Sequence, residues 1–247
     1  MKNKLRLIWD FKGLPFYLRD FLKIKKQKGG DKSFPFGECY PILNERSAGA
    51  GTMSGQYFHQ DFLVAKKIFI NNPKKHLDIG SRIDGFVAHV AVFREIEIVD
   101  IRPLKSTIKN IVFTRLDLME LPPEFVDSYD SVSSLHAIEH FGLGRYGDPI
   151  DYLGHVKALE NIYKILKTGG KFYFSVPIGE QRIEFNAHRV FSVGYLLDLF
   201  KDKYNISGFS YVNDAGDLFE NVQLNPEEVK NNFNCRNGCG IFELVKI

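Results

Sequence analysis

Short apolar runs alternate with longer amphipathic stretches over most of the chain after Pro73. Runs rich in Ile, Val, Leu and Phe predict buried β-strands, and apolar residues at helical spacing predict the helices between them. This alternation is typical of an α/β domain with a doubly wound, mostly parallel sheet, predicted here with seven strands. The predicted strands are residues 76–80, 96–100, 111–113, 129–135, 171–176, 206–212 and 241–247.

Helix boundaries are predicted from capping residues and helix breakers. Asp148 is a good N-cap and Pro149 suits a first turn, so a helix is predicted to begin there and to end at Gly169. Pro73 is expected to stop an earlier helix. The other helices are predicted for residues 57–71, 84–93 and 190–200.

The first part of the chain has a different character. Residues 1–55 are predicted to form an N-terminal extension and linker, and residues 56–247 the α/β domain. Two interpretations of the basic N-terminus stay open: a solvated basic face, or a weak peripheral contact with an anionic membrane surface through the apolar residues beside the charges. The basic residues are Lys2, Lys4, Arg6, Lys12, Arg19, Lys23, Lys25, Lys26, Lys28 and Lys32.

Composition limits the class of protein. The chain has 247 residues, of which 44% are hydrophobic and 26% charged, enough for one substantial folded core. A formal net charge of +3 is too small to indicate a nucleic-acid partner. We find no apolar run long enough for a spanning helix and no signal-peptide pattern, so we expect a cytoplasmic location. The three cysteines are expected to be free thiols.

Candidate chemistry lies at the predicted strand ends. In parallel sheets ligands bind at the carboxyl ends of the strands. Asp78 to Ser81 closes the first strand, where Gly80 allows backbone to approach a ligand. Asp100 ends the second strand and can accept hydrogen bonds from both hydroxyls of a ribose. Asp117 follows the third strand and can accept from an adenine amino group. Together these residues indicate an adenosine-containing cofactor.

The order of these segments resembles the successive motifs of class I S-adenosylmethionine-dependent methyltransferases. The similarity is carried by His76 to Gly80, Asp100, Asp117, Tyr129 to His140, and Leu166 to Pro177. The similarity extends to one branch of this methyltransferase superfamily, whose members are often found among bacterial surface-polysaccharide genes. The resemblance implies S-adenosylmethionine as cofactor and methyl transfer to a small polar acceptor, expected to be a hydroxyl of a sugar or glycan precursor.

The resemblance also implies roles for individual residues. Asp78, Gly80 and Ser81 would hold the methionine end of the cofactor, Asp100 and Ile101 the ribose, and Asp117 and Leu118 the adenine. Leu135 and His136 are expected to close the pocket, and Arg82 is expected at the cofactor, where it could reach the methionine carboxylate or an anionic substrate. Expected substrate residues are Glu139, Arg145, Tyr146 and Arg189, and candidates for the base that removes the acceptor proton are His140 and then His188.

One position departs from the family pattern and keeps alternatives open. Arg82 stands where both the methyltransferase loop and a dinucleotide fingerprint usually have Gly. Together with the Leu166 to Gly170 segment, which is similar to a methyltransferase motif, it disfavours a dinucleotide oxidoreductase. Arg82 is compatible with binding a carboxylate or with a non-catalytic partner subunit that kept the fold. The spacing His136-x-x-Glu139-His140 also matches an inverted zinc-peptidase pattern, but no downstream acid supplies a third ligand, so we expect no metal.

Overall fold

The computed structural model describes residues 11–247, with side chains from Lys12 onward. The chain divides into two compact units, Met1–Thr52 and Met53–Ile247. In the first unit a short 3-10 turn, Phe11–Gly13, leads into helix α1, Leu14–Lys28. The predicted basic positions Lys2, Lys4 and Arg6 lie outside the described residues. Within residues 11–247, no helix is long and apolar enough to cross a membrane.

The second unit contains ten strands and five α-helices among the described residues. The helices are α2 (Gln56–Asn71), α3 (Ala88–Ala91, preceded by a π-helical turn, Ile83–Val87), α4 (Gly154–Ile165), α5 (Val193–Phe200) and α6 (Pro226–Lys230). The strands are β1 (His76–Ile79), β2 (Ile96–Asp100), β3 (Ile111–Arg115), β4 (Tyr129–Leu135), β5 (Leu166–Ile178), β6 (Arg182–Glu184), β7 (His188–Val190), β8 (Tyr204–Val212), β9 (Leu218–Phe219) and β10 (Gly238–Lys246).

The central sheet confirms the predicted doubly wound α/β class. Its strand order is β3-β2-β1-β4-β5-β10-β8-β9, and the strands from β3 to β5 are parallel. Strand β10 runs antiparallel between β5 and β8. The sheet has eight strands and not seven, because the two-residue β9 pairs with the end of β8. The order reverses between β1 and β4, which places a crevice above their carboxyl ends.

Each face of the sheet has its own hydrophobic core. On one face, Ile162 and Ile165 of α4 belong to the same buried cluster as Phe172 and Phe174 of β5. On the other face, Val64 and Ile68 of α2 pack with Phe86 and Val90. The apolar stripes of the helices therefore cover the strands from both sides, as the period of the sequence pattern predicted.

Two predicted boundaries were wrong for local reasons. Helix α4 begins at Gly154 and not at Asp148, because the Asp148 carboxylate accepts the backbone N–H groups of Gly144 (3.1 Å) and Tyr146 (3.2 Å) and so closes the preceding loop. Strand β5 starts directly after α4, and the predicted helix terminator Gly169 lies in a bulge of that strand.

Candidate active site

A cleft of about 280 Å³ opens above the carboxyl ends of β1, β2 and β4. Its floor is the turn after β1, where Gly80 has a φ of +67°. A Cβ atom at Gly80 would lie 3.0 Å from the Cβ of Ala137. Both the left-handed conformation and the close neighbour favour glycine at this position, and they leave backbone exposed to the cleft.

A chain of buried polar groups lies behind this floor. The hydroxyls of Ser81 and Ser133 each donate to Asp78 Oδ1 at 2.6 Å, and the Leu135 backbone N–H donates to the Ser81 hydroxyl at 3.0 Å. Burial raises the pKa of Asp78 to about 7. Asp78, Ser81 and Leu135 do not line the cleft. They fix the ends of β1 and β4 relative to one another.

The same chain continues to the start of β1. His76 is buried, with Nε2 3.1 Å from the Ser133 hydroxyl and Nδ1 2.9 Å from the Ser131 hydroxyl. Because the Ser133 proton is directed at Asp78, His76 donates from Nε2 and accepts at Nδ1. Burial lowers the pKa of His76 to about 3, so the imidazole is neutral.

Asp100 lies at the cleft but already has partners. Its carboxylate accepts from the backbone N–H of Arg102 (2.8 Å) and from the Arg102 guanidinium (Nε to Oδ1, 2.9 Å). The guanidinium also lies over the ring of Tyr146, 4.6 Å from its centroid. Arg102 was not predicted from the sequence, although a basic residue two positions after a strand-end acid was a usable signal.

One wall of the cleft combines apolar side chains with a carboxylate. Ile101, Leu116 and Leu118 lie there beside Asp117. One oxygen of Asp117 accepts the Met119 backbone N–H at 2.9 Å. An apolar wall edged by an acceptor suits a flat heterocycle with an amino group.

Arg82 lines the opposite part of the cleft. Its guanidinium makes a bidentate ion pair with Asp84 (3.1 and 2.9 Å) and lies 4.9 Å from the centroid of Tyr57. Tyr57 of α2 also contacts the ring of His136, with centroids 5.1 Å apart. Tyr57 is a cleft residue that strand-end reasoning could not find, because it comes from a helix preceding the sheet.

A buried ion pair lies at the end of β4. His136 Nδ1 is 3.0 Å from Glu139 Oε1, and the Glu139 side chain is 2% exposed. Burial disfavours the imidazolium, yet the pKa of His136 is raised well above its usual value by Cys239 and by Glu139. Burial disfavours the Glu139 carboxylate, but its hydrogen bond to His136 lowers the pKa overall. The directions of both shifts favour the ion pair over the neutral pair.

His140 has a different protonation. Its Nδ1 is 2.7 Å from the carbonyl oxygen of Ala187, so the proton is on Nδ1 and the lone pair on Nε2. That Nε2 is 3.7 Å from Glu139 Oε1. Burial lowers the pKa of His140, against the opposing effect of Glu139, so the ring is neutral near pH 7. Arg145 donates to the same Ala187 oxygen at 2.8 Å.

The loop around β7 completes the mouth of the cleft. His188 lies 6.5 Å from His140 between ring centroids, and its Nε2 is 3.4 Å from Glu184. Arg189 does not line the cleft. The structure therefore does not support its predicted role in orienting a substrate. It is 4% exposed and donates to the carbonyl oxygens of Phe141 (2.6 Å) and Tyr152 (3.1 Å), because consecutive residues of a strand point to opposite faces.

The zinc-peptidase spacing does not form its required helix. His136 has a φ of +51° and ends β4, and only Ile138–His140 forms a short 3-10 turn. Glu139 lies between the two imidazoles and contacts both of them. In residues 11–247, no group of three His, Cys, Asp or Glu side chains has a geometry that could hold a metal ion.

Most of the predicted site residues meet in this one cleft. The predicted residues that line it are Gly80, Arg82, Asp100, Ile101, Asp117, Leu118, His136, Glu139, His140, Arg145, Tyr146 and His188.

Similar solved structures share the overall fold. N-methyltransferase NodS from Bradyrhizobium japonicum, in complex with S-adenosylhomocysteine, superposes with a TM-score of 0.51 at 11% identity, over 78% of this chain and 88% of that one. The 1,6-didemethyltoxoflavin N1-methyltransferase of Burkholderia thailandensis gives 0.55 at 14% identity, over 76% and 78% of the two chains. The [4+2]-cyclase SpnF gives 0.54 at 14% identity, over 76% and 80%. The fold is therefore the Rossmann-like methyltransferase fold.

Sequence comparison gives a more specific relationship. No curated protein sequence matches the chain. Residues 89–237 match the family model described as "Caenorhabditis protein of unknown function, DUF268". This match runs from the helix after the β1 turn to the residue before β10, and so includes His136, Glu139 and His140. It covers more than half of the chain, which therefore belongs to the DUF268 family.

Proposed function

We propose that the chain transfers a methyl group from S-adenosylmethionine to a hydroxyl of a small polar acceptor. The observation that carries the proposal is the arrangement of Gly80, Asp100 and Asp117 along one cleft at the switch point of the sheet. Exposed glycine backbone, a strand-end acid and an acid beside an apolar wall are suited to the methionine, ribose and adenine parts of one adenosyl ligand. Two solved structures with this fold, NodS and the didemethyltoxoflavin methyltransferase, hold S-adenosylhomocysteine.

The donor set of the cleft fits this cofactor. Asp100 would accept the ribose hydroxyls once Arg102 moves aside, and Asp117 would accept the adenine amino group. Leu118 and Ile101 supply the apolar wall for the base. Arg82 is placed to pair with the methionine carboxylate in place of Asp84. When bound, the sulfonium supplies a reactive methyl group, so the protein mainly has to position the acceptor and remove its proton.

His140 is our candidate base. His140 lines the cleft and carries its lone pair on Nε2, so we assign this atom to take the proton of an acceptor hydroxyl. The imidazolium formed would lie beside the Glu139 carboxylate, 3.7 Å away, which stabilises the charge as it develops. Glu139 is thus a positioning residue, and its pair with His136 keeps it ionised.

The mouth of the cleft favours a polar acceptor. Arg145, Tyr146, His188 and Asn237 line it and supply hydrogen-bond donors and acceptors. A sugar or glycan precursor, as the sequence resemblance implies, presents many hydroxyls to such a surface. We further propose that this acceptor belongs to surface-polysaccharide synthesis in the cytoplasm.

Calorimetry tests the cofactor assignment. Wild-type protein is titrated with S-adenosylmethionine, S-adenosylhomocysteine and NAD, and we expect binding of the first two only. Asp100→Ala should weaken binding by about 1–3 kcal/mol, because ribose hydroxyls lose their acceptor. The control is Asp198→Ala, an exposed acid on α5 that does not line the cleft. Binding of NAD alone, or equal affinity in Asp100→Ala and wild type, contradicts the assignment.

The ion pair between Asp100 and Arg102 favours one alternative. It satisfies the proposed ribose acceptor within the chain itself, as expected for a non-catalytic subunit that kept the fold. Absence of heat with both adenosyl ligands, in protein shown to be folded by circular dichroism, would support that alternative.

A further inference from the structure

Helix α1 carries both apolar and basic side chains, and none of them is buried. It runs from Leu14 to Lys28, with Pro15 in its first turn and Gly29 after its end. At about 1.5 Å per residue the helix is roughly 22 Å long. Its apolar residues therefore form an extended feature of the first unit and not a local irregularity.

One side of α1 packs within its own unit. Phe21 lies against Phe36, with ring centroids 5.4 Å apart, and Arg46 pairs with Asp20 at 2.8 Å. A groove between the helix and the returning segment is lined by Tyr17, Ile24 and Ile42, among others. These contacts fix the orientation of the helix in the unit.

The next side of the helix carries a row of leucines. Leu14, Leu18 and Leu22 follow one another at intervals of four residues, which places them along one line of the helix surface. They are 37%, 51% and 65% exposed. Isolated exposed leucines are ordinary on protein surfaces, but an aligned row on a helix indicates a surface that meets another apolar phase.

Cationic side chains border this leucine row. At 100° per residue, Lys25 lies within the row's arc and Lys26 and Arg19 lie beside it. The helix contains five basic residues and one acid, Asp20, which is paired with Arg19 and Arg46. The exposed face therefore combines the leucine row with one basic side chain inside its arc and two along one edge.

We propose that this face of α1 lies on an anionic phospholipid surface, with the leucine row among the acyl chains and Arg19, Lys25 and Lys26 at the lipid phosphates. An apolar stripe with long basic side chains beside it is the arrangement that binds at the interface, because those side chains extend their charges toward the headgroups. The positive charge of this face distinguishes between a bilayer and a second copy of the helix as its partner. A second copy of α1 would bring like charges together, whereas an anionic bilayer complements both the leucines and the cations.

Vesicle flotation of the full chain tests the proposal. Vesicles of pure phosphatidylcholine are compared with an equal mixture of phosphatidylcholine and phosphatidylglycerol. We expect binding to the mixed vesicles only, lost when salt shortens the Debye length from about 10 to about 3 Å. The pair Arg19→Gln and Lys26→Gln should reduce the partition coefficient about 25-fold, since each charge near the surface contributes roughly fivefold. Leu18→Ser with Leu22→Ser, which removes two members of the leucine row, should abolish binding to the mixed vesicles.

Matched controls lie on the second unit. Lys66→Gln with Lys109→Gln removes two exposed charges, and Ile108→Ser with Ile150→Ser removes two exposed apolar side chains. Both controls should bind mixed vesicles as the wild type does. Equal binding to both kinds of vesicle, no binding to either, or unchanged binding by the α1 variants overturns the proposal. A dimer in sedimentation that Leu18→Ser with Leu22→Ser dissociates, without vesicle binding, would assign the face to a second copy instead.

Discussion

Replacing Gly80 by alanine isolates the constraint that shapes the floor of the cleft. The substitution adds one methyl group to a residue with a φ of +67°, where L-residues with a Cβ are strained. The new Cβ would lie 3.0 Å from the Cβ of Ala137, which is 5% exposed and cannot move into solvent. Gly80→Ala is therefore expected to be destabilising for two separate reasons, the backbone conformation and the steric contact.

Their magnitudes follow from the geometry. The left-handed conformation costs an alanine about 1–2 kcal/mol relative to glycine. Carbon atoms pack best at about 3.5–4.0 Å, so the contact at 3.0 Å requires a backbone shift that costs on the order of 1 kcal/mol. We expect Gly80→Ala to lower the free energy of unfolding by about 2–3 kcal/mol, a large part of the stability of a typical domain.

Urea unfolding followed by circular dichroism measures this change. Gly194→Ala is the matched control, because Gly194 lies in α5 and no atom beyond its chain neighbours and its own helix backbone lies within 4 Å of the Cβ position. There alanine should be neutral or stabilising by up to about 1 kcal/mol. Adding Ala137→Gly to Gly80→Ala should recover the contact part, about 1 kcal/mol, in a double-mutant cycle. The reasoning is refuted if Gly80→Ala changes stability by less than about 0.5 kcal/mol, or if the cycle shows no coupling.

Three further predictions concern buried or reacting groups. Arg189→Leu should lower the free energy of unfolding by about 3–5 kcal/mol, since buried carbonyl oxygens lose their donor. In the same urea experiment Arg145→Leu, at an exposed position, should lower it by less than about 1 kcal/mol. Equal effects of the two substitutions would contradict a role of Arg189 in stabilising the fold. Burial raises the pKa of Asp78 to about 7. The protonated Asp78 side chain therefore contributes its full stability below pH about 4, and this contribution is lost as the pH rises to 7. In urea titrations at stepped pH, the wild type should lose stability relative to Asp78→Asn over that range. A pH-independent difference would show that Asp78 does not titrate there. His140→Gln should slow single-turnover methyl transfer about 10²- to 10⁴-fold without changing cofactor affinity. The wild-type rate should fall only as pH drops below 6.5, because the pKa of His140 is lowered; a wild-type rate in His140→Gln excludes it as the base.

The sequence predicted the parts of the molecule that depend on local patterns. Apolar residues alternate with polar ones along β1 (Leu77, Ile79) and at the start of β2 (Ile96, Ile98), and the strand-end positions of Gly80 and Asp100 follow from the parallel topology. The cleft between them was therefore predictable. These features depend on a side-chain period and on a direction, both of which are present in the sequence itself.

Other features depended on contacts between distant segments. Asp148 satisfies the rules for a helix N-cap, but it caps a loop because the N–H groups of Gly144 and Tyr146 are nearer. Arg189 has the composition of a substrate ligand, but the carbonyl oxygens that surround it come from residues 37 to 50 positions away. Tyr57 reaches the cleft from a helix outside the strand pattern. No local rule in the sequence encodes such partners.

The loop between β4 and α4 is tied at its base. Arg189 donates to Phe141 at one end and Tyr152 at the other, and the Asp151 N–H donates to the carbonyl oxygen of Gly142 at 3.0 Å. A Cβ at Gly142 would lie only 2.0 Å from the Asp151 oxygen, so the two ends of the loop are held as close as backbones allow. Because both ends of the loop are tied, we expect substitutions or insertions within residues 144–150 to leave the sheet in place. In evolutionary terms this tie allows the mouth of the cleft to change through a single loop while the sheet and the residues at its strand ends are kept.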